Sequence, residues 1–289
     1  MQRGDLLGVL PSATGEGGVE DGGTGDGSAG APRFAPPSLV LALSDPSADD
    51  EDPTFTGDLR ELYFSSTRSD PNSDIWVSRR ATPVDPWGAP SLVPELSSPA
   101  IDRSPSVSLD GLQIWFSTTR ANMFPQIWHA SRASDADPWG TPAPVSELAS
   151  VFFDGAPSVD AAETTMFFAS YRGGAPTADI YSTTRPSAAW PWAPPARVPG
   201  LDTPLDENDP FVAQGGLVVF FALTHGMQTD LYWSSRRSTD ATFPTPLPLV
   251  GVNSPFSDND PALSPDLLYM MFSSNRTGNF EIYETHAVN

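Results

Sequence analysis

Acidic and basic side chains occupy two fixed positions around a proline that recurs along the sequence. An acid lies three residues before each proline, and a basic residue lies 15 residues after it. This pattern allows one charge-assisted hydrogen bond per copy, or a ring of carboxylates that binds Ca²⁺ or a cationic ligand. The acids are Asp50, Asp102, Asp154, Glu207 and Asp258. The basic residues are Arg68, Arg120, Arg172, His225 and Arg276.

The strict repetition of these charges favours a structural role, because a site for one ligand usually breaks the symmetry of a repeat. We therefore expect each acid to meet a basic residue of its own copy or of the neighbouring copy. The functional alternative is a ring of carboxylates at one mouth of a central channel.

The prolines define the repeat that must position these charges. They are separated by 52, 52, 53 and 51 residues, and the basic residues keep the same spacings. A third set of apolar residues, each followed by Trp or Tyr, has almost the same period. Five copies of one unit indicate a repeat architecture. The prolines are Pro53, Pro105, Pro157, Pro210 and Pro261. The apolar residues are Ile75, Ile127, Ile180, Leu231 and Ile282.

Each unit is predicted to form four antiparallel strands, as its second copy illustrates. The strands are expected at residues 104–108, 112–117, 126–131 and 142–148, with a tight turn at 109–111. The second strand of each unit is apolar on both faces, so both faces must be covered. Sheets that pack face to face around an axis meet this requirement, which predicts a β-propeller.

The fourth strand predicts how the ring closes. Its pattern, aromatic-x-x-Pro-x-x-apolar, begins at Trp87, Trp139, Trp192 and Phe243, and a fifth copy begins at Phe34. The N-terminal strand should therefore complete the last sheet and remove its open edge. The prediction is an all-β, five-bladed propeller over residues 34–289, behind a Gly- and acid-rich leader at 1–33. The repeated Trp is expected to pack between outer strands, with sugar stacking as the alternative.

Two segments carry a resemblance to a known family. They are Arg103-Ser-Pro-Ser-Val-Ser-Leu-Asp-Gly with Phe116-Ser-Thr-Thr-Arg120, and Asp260-Pro-Ala-Leu-Ser-Pro-Asp with Phe272-Ser-Ser-Asn-Arg276. The chain resembles the WD-like repeats of TolB-type β-propellers over residues 34–289. TolB itself has six blades, whereas five copies are present here. The resemblance implies a bacterial envelope or exported protein that acts by binding.

Composition excludes several partners and chemistries. The chain has 36 acidic residues and 15 basic ones, all of them Arg, for a net charge of −21. Nucleic acids and anionic membrane surfaces require basic patches, so neither is an expected partner. The absence of Cys excludes thiol chemistry and disulfides. No apolar run is long enough for a membrane-spanning helix. Leu6 to Leu10 is short for an export signal, and it is either the remnant of one or part of a plain leader.

Departures from the repeat indicate where function could lie. The fourth copy has Glu207 and His225 where the others have Asp and Arg, and the first copy has four consecutive acids at 49–52. The second copy places Met123 and Phe124 in a loop that is polar or Gly-rich elsewhere, which makes them a candidate partner contact.

Two functions follow from these observations. The first is a non-catalytic, extracytoplasmic binding or scaffold propeller, expected to be a monomer with a protein partner and no cofactor, catalytic residue or bound metal. The alternative is a glycan-active enzyme, or a carbohydrate- or Ca²⁺-binding propeller, that uses carboxylates at one channel mouth. An enzyme would need carboxylates in different environments, and the repeated acids are near equivalent.

Overall fold

The computed structural model describes residues 32–69, 71–174 and 176–288, which form five four-stranded antiparallel sheets. Blades 1 to 4 contain β2–β5, β6–β9, β10–β13 and β14–β17, and blade 5 contains β18–β20 with β1. The strands are β1 Ser38–Leu39, β2 Asp50–Phe55, β3 Glu61–Ser66, β4 Asp74–Arg79, β5 Ser91–Leu92, β6 Asp102–Val107, β7 Gln113–Thr118, β8 Gln126–Ser131, β9 Ala143–Pro144, β10 Asp154–Val159, β11 Thr165–Ser170, β12 Asp179–Thr184, β13 Ala196–Arg197, β14 Asp206–Ala213, β15 Val218–His225, β16 Gln228–Ser235, β17 Leu247–Pro248, β18 Asp258–Leu263, β19 Tyr269–Ser274 and β20 Glu281–His286.

The first strands of the blades enclose the propeller axis. Each contacts the first strands of two neighbours, in the order β2, β6, β10, β14, β18 and back to β2. The second strands are buried almost throughout, and clusters of buried apolar residues join adjacent blades, as where Tyr63 and Ile75 meet Ile114 and Phe116. The predicted five-bladed architecture is confirmed.

A bulge interrupts every first strand at the residue before the repeat proline. The register with the second strand shifts there, as between Glu51 and Thr54, because proline cannot donate to the ladder. The residue before the proline has a left-handed backbone in all five blades, with φ between 49° and 55°. These residues and the prolines line a small cavity on the axis. The bulge therefore places one residue per blade at the centre of the ring.

Two strand boundaries differ from the expectation. The first strand of blade 2 begins at Asp102, so the repeated acid starts the strand and does not lie in the loop before it. The fourth strand, expected at residues 142–148, is only Ala143–Pro144. Pro142 and Pro144 remove two backbone donors there, and the chain turns at 146–148.

The N-terminal segment closes the ring as predicted. Ser38 pairs with Glu284 and Leu39 with Tyr283, so β1 is the outer strand of blade 5. The N–H of Val40 donates to the Ile282 carbonyl at 3.0 Å, and Leu43 is fully buried. Of the predicted leader, residues 1–31 lie outside the described residues. In the described part of the chain, no helix is long and apolar enough to span a membrane.

Removing the closing strand should destabilise the propeller. A chain that lacks residues 1–31 should melt within a few degrees of the full chain. A chain that lacks residues 1–44 exposes the edge of β20 and loses the buried Leu43, so it should aggregate or melt far lower. Thermal melting followed by circular dichroism makes the comparison. Equal melting temperatures for the two deletions would contradict the closure.

Candidate functional site

Four of the five repeated acids are paired with the arginine of their own blade. The Asp50–Arg68, Asp102–Arg120 and Asp154–Arg172 distances are 2.5, 2.6 and 2.6 Å, and Asp258 pairs in the same way with Arg276. All four carboxylates are 0% exposed. This is the geometry that the structural interpretation of the ring requires.

Each of these arginines also joins two other parts of its blade. In blade 2, Nη2 of Arg120 donates to the Leu96 carbonyl at 2.7 Å, and the guanidinium lies 5.2 Å from the ring centroid of Phe116 and 5.1 Å from that of Trp128. Blades 1, 3 and 5 repeat both contacts. The guanidinium therefore fixes a first strand, a second strand and the preceding loop at one point.

Blade 4 does not form this pair. Glu207 is also 0% exposed, but His225 turns to Asp230, with 3.1 Å between Nε2 and Oδ2. One Glu207 oxygen accepts hydrogen bonds from Thr203, and Oε2 has no partner among the described residues. Burial raises the pKa of Glu207 to about 7, although the Thr203 bonds lower it.

The repeated tryptophans are buried under a second set of arginines. Trp87, Trp139 and Trp192 are 6%, 5% and 5% exposed. Arg80, Arg132 and Arg185 lie over their rings at 4.0, 4.6 and 4.1 Å from the centroids. Packing between blades explains this column, and the covered rings present no face for a sugar.

Three carboxylates meet on the axis, and none of them belongs to the repeated acids. Asp52, Asp209 and Asp260 each precede a repeat proline, and one oxygen of each lies within 4.8 Å of the others. Ser104 and Ala156 hold the equivalent positions in blades 2 and 3. These axial carboxylates therefore differ between blades, unlike the repeated acids.

Backbone groups of neighbouring blades orient the axial carboxylates. The N–H of Ser104 donates to Oδ2 of Asp52 at 3.1 Å, and the N–H of Asp52 donates to Oδ2 of Asp260 at 3.2 Å. The Ser273 hydroxyl also donates to Asp260. The left-handed backbone at these residues turns the N–H groups toward the preceding blade.

The axial carboxylates repel one another, with Asp260 buried and Asp52 and Asp209 half-buried. Burial, followed by the charge of Asp52, raises the pKa of Asp209 to about 6. Burial and the neighbouring Asp209 and Asp52 raise the pKa of Asp260 well above its usual value. The adjacent Glu51 is also affected, since burial and then Asp52 and Asp49 raise its pKa to about 8. A bound cation would relieve this repulsion and favour the ionised forms.

The size of the axial cavity limits what it can hold. The layer between the carboxylates and the prolines has a volume of about 40 Å³, and a second cavity of about 130 Å³ lies beyond the prolines. The smaller volume admits an ion or a few waters. Oxygen ligands of this kind suit hard cations such as Ca²⁺ and Mg²⁺.

The sequence contained only part of the signal for the axial carboxylates. The four acids at 49–52 mark blade 1 and include Asp52. Asp209 and Asp260 lie two residues after a repeated acid, in a column that reads Asp, Ser, Ala, Asp and Asp. A search for repeated residues misses this column, and the bulge that directs it to the axis is not visible in the sequence.

The predicted partner contact lies in an exposed apolar patch, defined as Met123, Phe124, Val151 and Phe152. Met123 is 87% exposed and Phe124 is 49% exposed, while Val151 and Phe152 of the next loop are 80% and 42% exposed. The two loops are joined because Nε2 of Gln126 donates to the Phe152 carbonyl at 2.7 Å. Residues 97–101, 121–126 and 149–153 contain no charged side chain, in contrast to the acidic chain as a whole.

Comparison with solved structures places the chain among β-propellers. A TolB-type protein from Agrobacterium tumefaciens matches 85% of this chain and 79% of its own length, at 17% identity and a TM-score of 0.51. TolB from Acinetobacter baumannii matches at 14% identity and a TM-score of 0.53, and the match spans only 56% of that protein. An alpha-L-arabinofuranosidase from Podospora anserina, solved with cellotriose, matches at 8% identity and a TM-score of 0.59, over 89% of this chain and 97% of its own.

The five four-stranded sheets define the class of the protein, a five-bladed β-propeller. The likenesses to solved structures agree with a propeller at the level of the fold. No family model matches the sequence, and no curated protein matches it. The TolB resemblance is therefore a resemblance of fold, and it is shared with glycoside hydrolases.

Removing one repeated arginine should strongly destabilise the protein. Arg120→Ala leaves the buried Asp102 carboxylate unpaired, at a cost of about 3–5 kcal/mol. Arg120→Lys should be intermediate, since Lys cannot make the forked contacts of the guanidinium. Arg60, which is half exposed and 3.9 Å from Asp58, is the control. Arg60→Ala should cost about 0–1 kcal/mol. Urea unfolding measures all three, and equal losses for Arg120→Ala and Arg60→Ala would show that the buried pair is not needed.

Proposed function

We propose that this protein is a non-catalytic binding or scaffold propeller of the bacterial cell envelope, which acts by protein–protein contact outside the cytoplasm. The observation that carries the proposal is the exposed apolar patch at the junction of blades 2 and 3. Contiguous apolar loop tips on the surface of a monomer are typical of partner contacts. The fold likeness to TolB agrees with this assignment.

Charge supports a particular kind of partner. The chain carries a net charge of −21, so long-range attraction favours a basic protein and disfavours a second copy of the chain. The uncharged surface around Met123 and Phe124 would then hold an apolar side chain of that partner once it has approached.

A second candidate function is cation binding at the propeller axis. It is favoured by the convergence of the Asp52, Asp209 and Asp260 carboxylates in a cavity of ionic size. The glycoside hydrolase alternative is weaker, since four of the five repeated acids are buried against arginines. A cation on the axis is compatible with a binding or scaffold role, because it would stabilise the ring.

Cross-linking should locate the partner at the apolar patch. A photo-reactive side chain at Met123 should capture a specific protein in the cells that express this chain. The matched control is the same group at Met227, which is 100% exposed on blade 4. Phe124→Asp with Val151→Asp should abolish capture at residue 123 and leave the melting temperature unchanged. Capture of the same proteins from both positions would contradict the assignment.

The purified protein should have no glycosidase activity. We expect no turnover of aryl furanosides or arabinan oligomers. Turnover that disappears in Asp52→Asn or Asp209→Asn would reverse the ranking of the two functions.

Cations should stabilise the protein if the axial carboxylates bind them. Melting temperatures measured with Ca²⁺, Mg²⁺ or chelator should differ by several degrees in the wild type, because a ligand of the native state stabilises it by mass action. The difference should increase from pH 5 to pH 8, since protons compete for the same carboxylates. Asp209→Asn should remove the effect, and the exposed Asp58→Asn should keep it. Identical melting at all cation concentrations would eliminate this candidate function.

A further inference from the structure

We propose that a cavity between blades 1 and 2 binds a small-molecule carboxylate, which is held by two arginine side chains of blade 1. The cavity has a volume of about 480 Å³, within the usual range of small-molecule sites. It is lined by residues within 56–61, 79–80, 109–110 and 132–136. These segments lie at the opposite face from the apolar patch, because neighbouring antiparallel strands run in opposite directions. The cavity is therefore separate from the proposed partner contact.

Three charged residues in this cavity occur in blade 1 alone. Arg60, Glu61 and Arg79 are replaced in blades 2 to 4 by uncharged residues, and blade 5 differs only in having a histidine at the Arg79 position. The other blades fold without these charges, so the fold does not require them. The counterparts of Arg60 are Leu112, Thr164, Leu217 and Leu268. Those of Glu61 and Arg79, which pair across β3 and β4, are Gln113 with Ser131, Thr165 with Thr184, Val218 with Ser235, and Tyr269 with His286.

Glu61 fixes the arrangement from the buried side. It is 9% exposed, and its Oε1 accepts the Nε–H of Arg79 at 2.7 Å. Its Oε2 accepts hydrogen bonds from the Tyr63 hydroxyl, at 3.1 Å, and from Nη2 of Arg132 in blade 2. Burial opposes the charge, but the hydrogen bonds from Arg132 and Arg79 hold the pKa of Glu61 below its usual value. The carboxylate is thus ionised, and it orients both guanidinium groups.

Arg79 is held at one edge and open at the other. Its Nε–H is bonded to Glu61, whereas neither Nη atom has an acceptor among the described residues, and the side chain is 53% exposed. The two Nη groups of a guanidinium can donate in parallel to both oxygens of a carboxylate. Because Glu61 already orients the guanidinium, less conformational entropy is lost when a ligand binds.

Arg60 supplies a second guanidinium, which has no hydrogen-bond partner in the described part of the chain. Its side chain is 52% exposed, and Nη1 lies 3.9 Å from Oδ2 of Asp58, which is too far for a hydrogen bond. Oδ1 of Asp58 is already engaged, since it accepts from the Thr56 hydroxyl at 2.7 Å and from the Arg60 N–H at 3.1 Å. The Arg60 side chain can therefore turn toward a ligand carboxylate.

The other two arginines of the cavity are committed to the fold. Arg132 donates through Nε and Nη1 to backbone carbonyls at 2.7 and 3.1 Å, and its side chain is 2% exposed. Arg80 also donates to two backbone carbonyls, and its guanidinium lies over the Trp87 ring. These two side chains form part of the cavity wall, and Arg60 and Arg79 remain to contact a ligand.

The lining of the cavity limits the kind of ligand. Four arginines and four acidic residues line it, so it is balanced in charge, although the chain has a net charge of −21. Long-range repulsion then disfavours a polyanion, whereas a ligand with one or two carboxylates can use the Arg79 and Arg60 donors. Leu109, which is 38% exposed, and Ala136 add an apolar surface. A short aliphatic carboxylate has this combination of groups.

Binding of succinate to the full chain, followed by NMR at constant ionic strength, tests the site. Millimolar succinate should shift the Arg79 Nε–H resonance and the Leu109 amide resonance in a saturable way. Succinamide, which has nearly the same shape without the charges, should not shift them. Arg79→Gln and Arg79→Lys should each weaken succinate binding, measured at Leu109, by about tenfold or more, because both remove the forked contact. Arg237→Gln changes an exposed arginine that follows β16 on the same face, and this matched control should bind as the wild type does.

The comparison of the two ligands uses the wild type, so it does not depend on how the variants fold. Equal shifts with succinate and succinamide would show that the carboxylates are not recognised. A succinate affinity that is unchanged in Arg79→Gln would place the binding elsewhere. Either result, or the absence of a saturable shift in the wild type, would overturn the proposal. Capture at Met123 is measured separately, so the failure of one test leaves the other intact.

Discussion

The propeller depends on one interaction that is made four times, the hydrogen bond between a buried aspartate and the arginine of its blade. The first strands enclose the axis, and this pair holds the starting end of the first strand in four of the five blades. In blade 2, Arg120 links the start of β6 to the end of β7, to the Leu96 carbonyl and to two aromatic rings. A buried charge pair of this kind is selective because each partner alone is unfavourable. The acidic ring is therefore largely neutralised within the protein, although the net charge is −21.

In blades 1, 4 and 5 the repeated acid and an axial carboxylate lie two residues apart. Asp50 is locked to Arg68, whereas Asp52, two residues later, reaches the axis. The bulge before the proline separates the two roles, because it turns the intervening backbone and directs one side chain inward. A repeat can thus keep a structural residue at one position and vary the side chain that reaches the axis two residues later. Blade 4 shows a different variation, since Glu207 occupies the structural position without its cation.

The sequence was sufficient for the architecture because its information is repeated. Five copies of the proline, of the arginine or histidine, and of the Ile or Leu before an aromatic residue specify the blade number, and the Phe34 pattern specifies closure. The fourth strand of blade 2 was predicted too long because Pro142 and Pro144 leave few donors for pairing. The axial carboxylates were missed because they depend on a left-handed backbone. The pairing of His225 with Asp230 could not be predicted, because it depends on the length of β15 and β16. These two strands continue as far as a two-residue turn that begins at Gly226.

Closure by the N-terminal strand also constrains the order in which the chain can fold. The Thr285 hydroxyl donates to the Ala35 carbonyl across 250 residues of sequence. Contacts of such high sequence separation form late and slow folding. During synthesis, blades 1 to 4 can assemble as they emerge, but β1 must wait for β20, which lies at the far end of the propeller sequence. Until β20 appears, β1 is an unpaired strand and the ring has an open edge, the state in which a propeller is most exposed to aggregation.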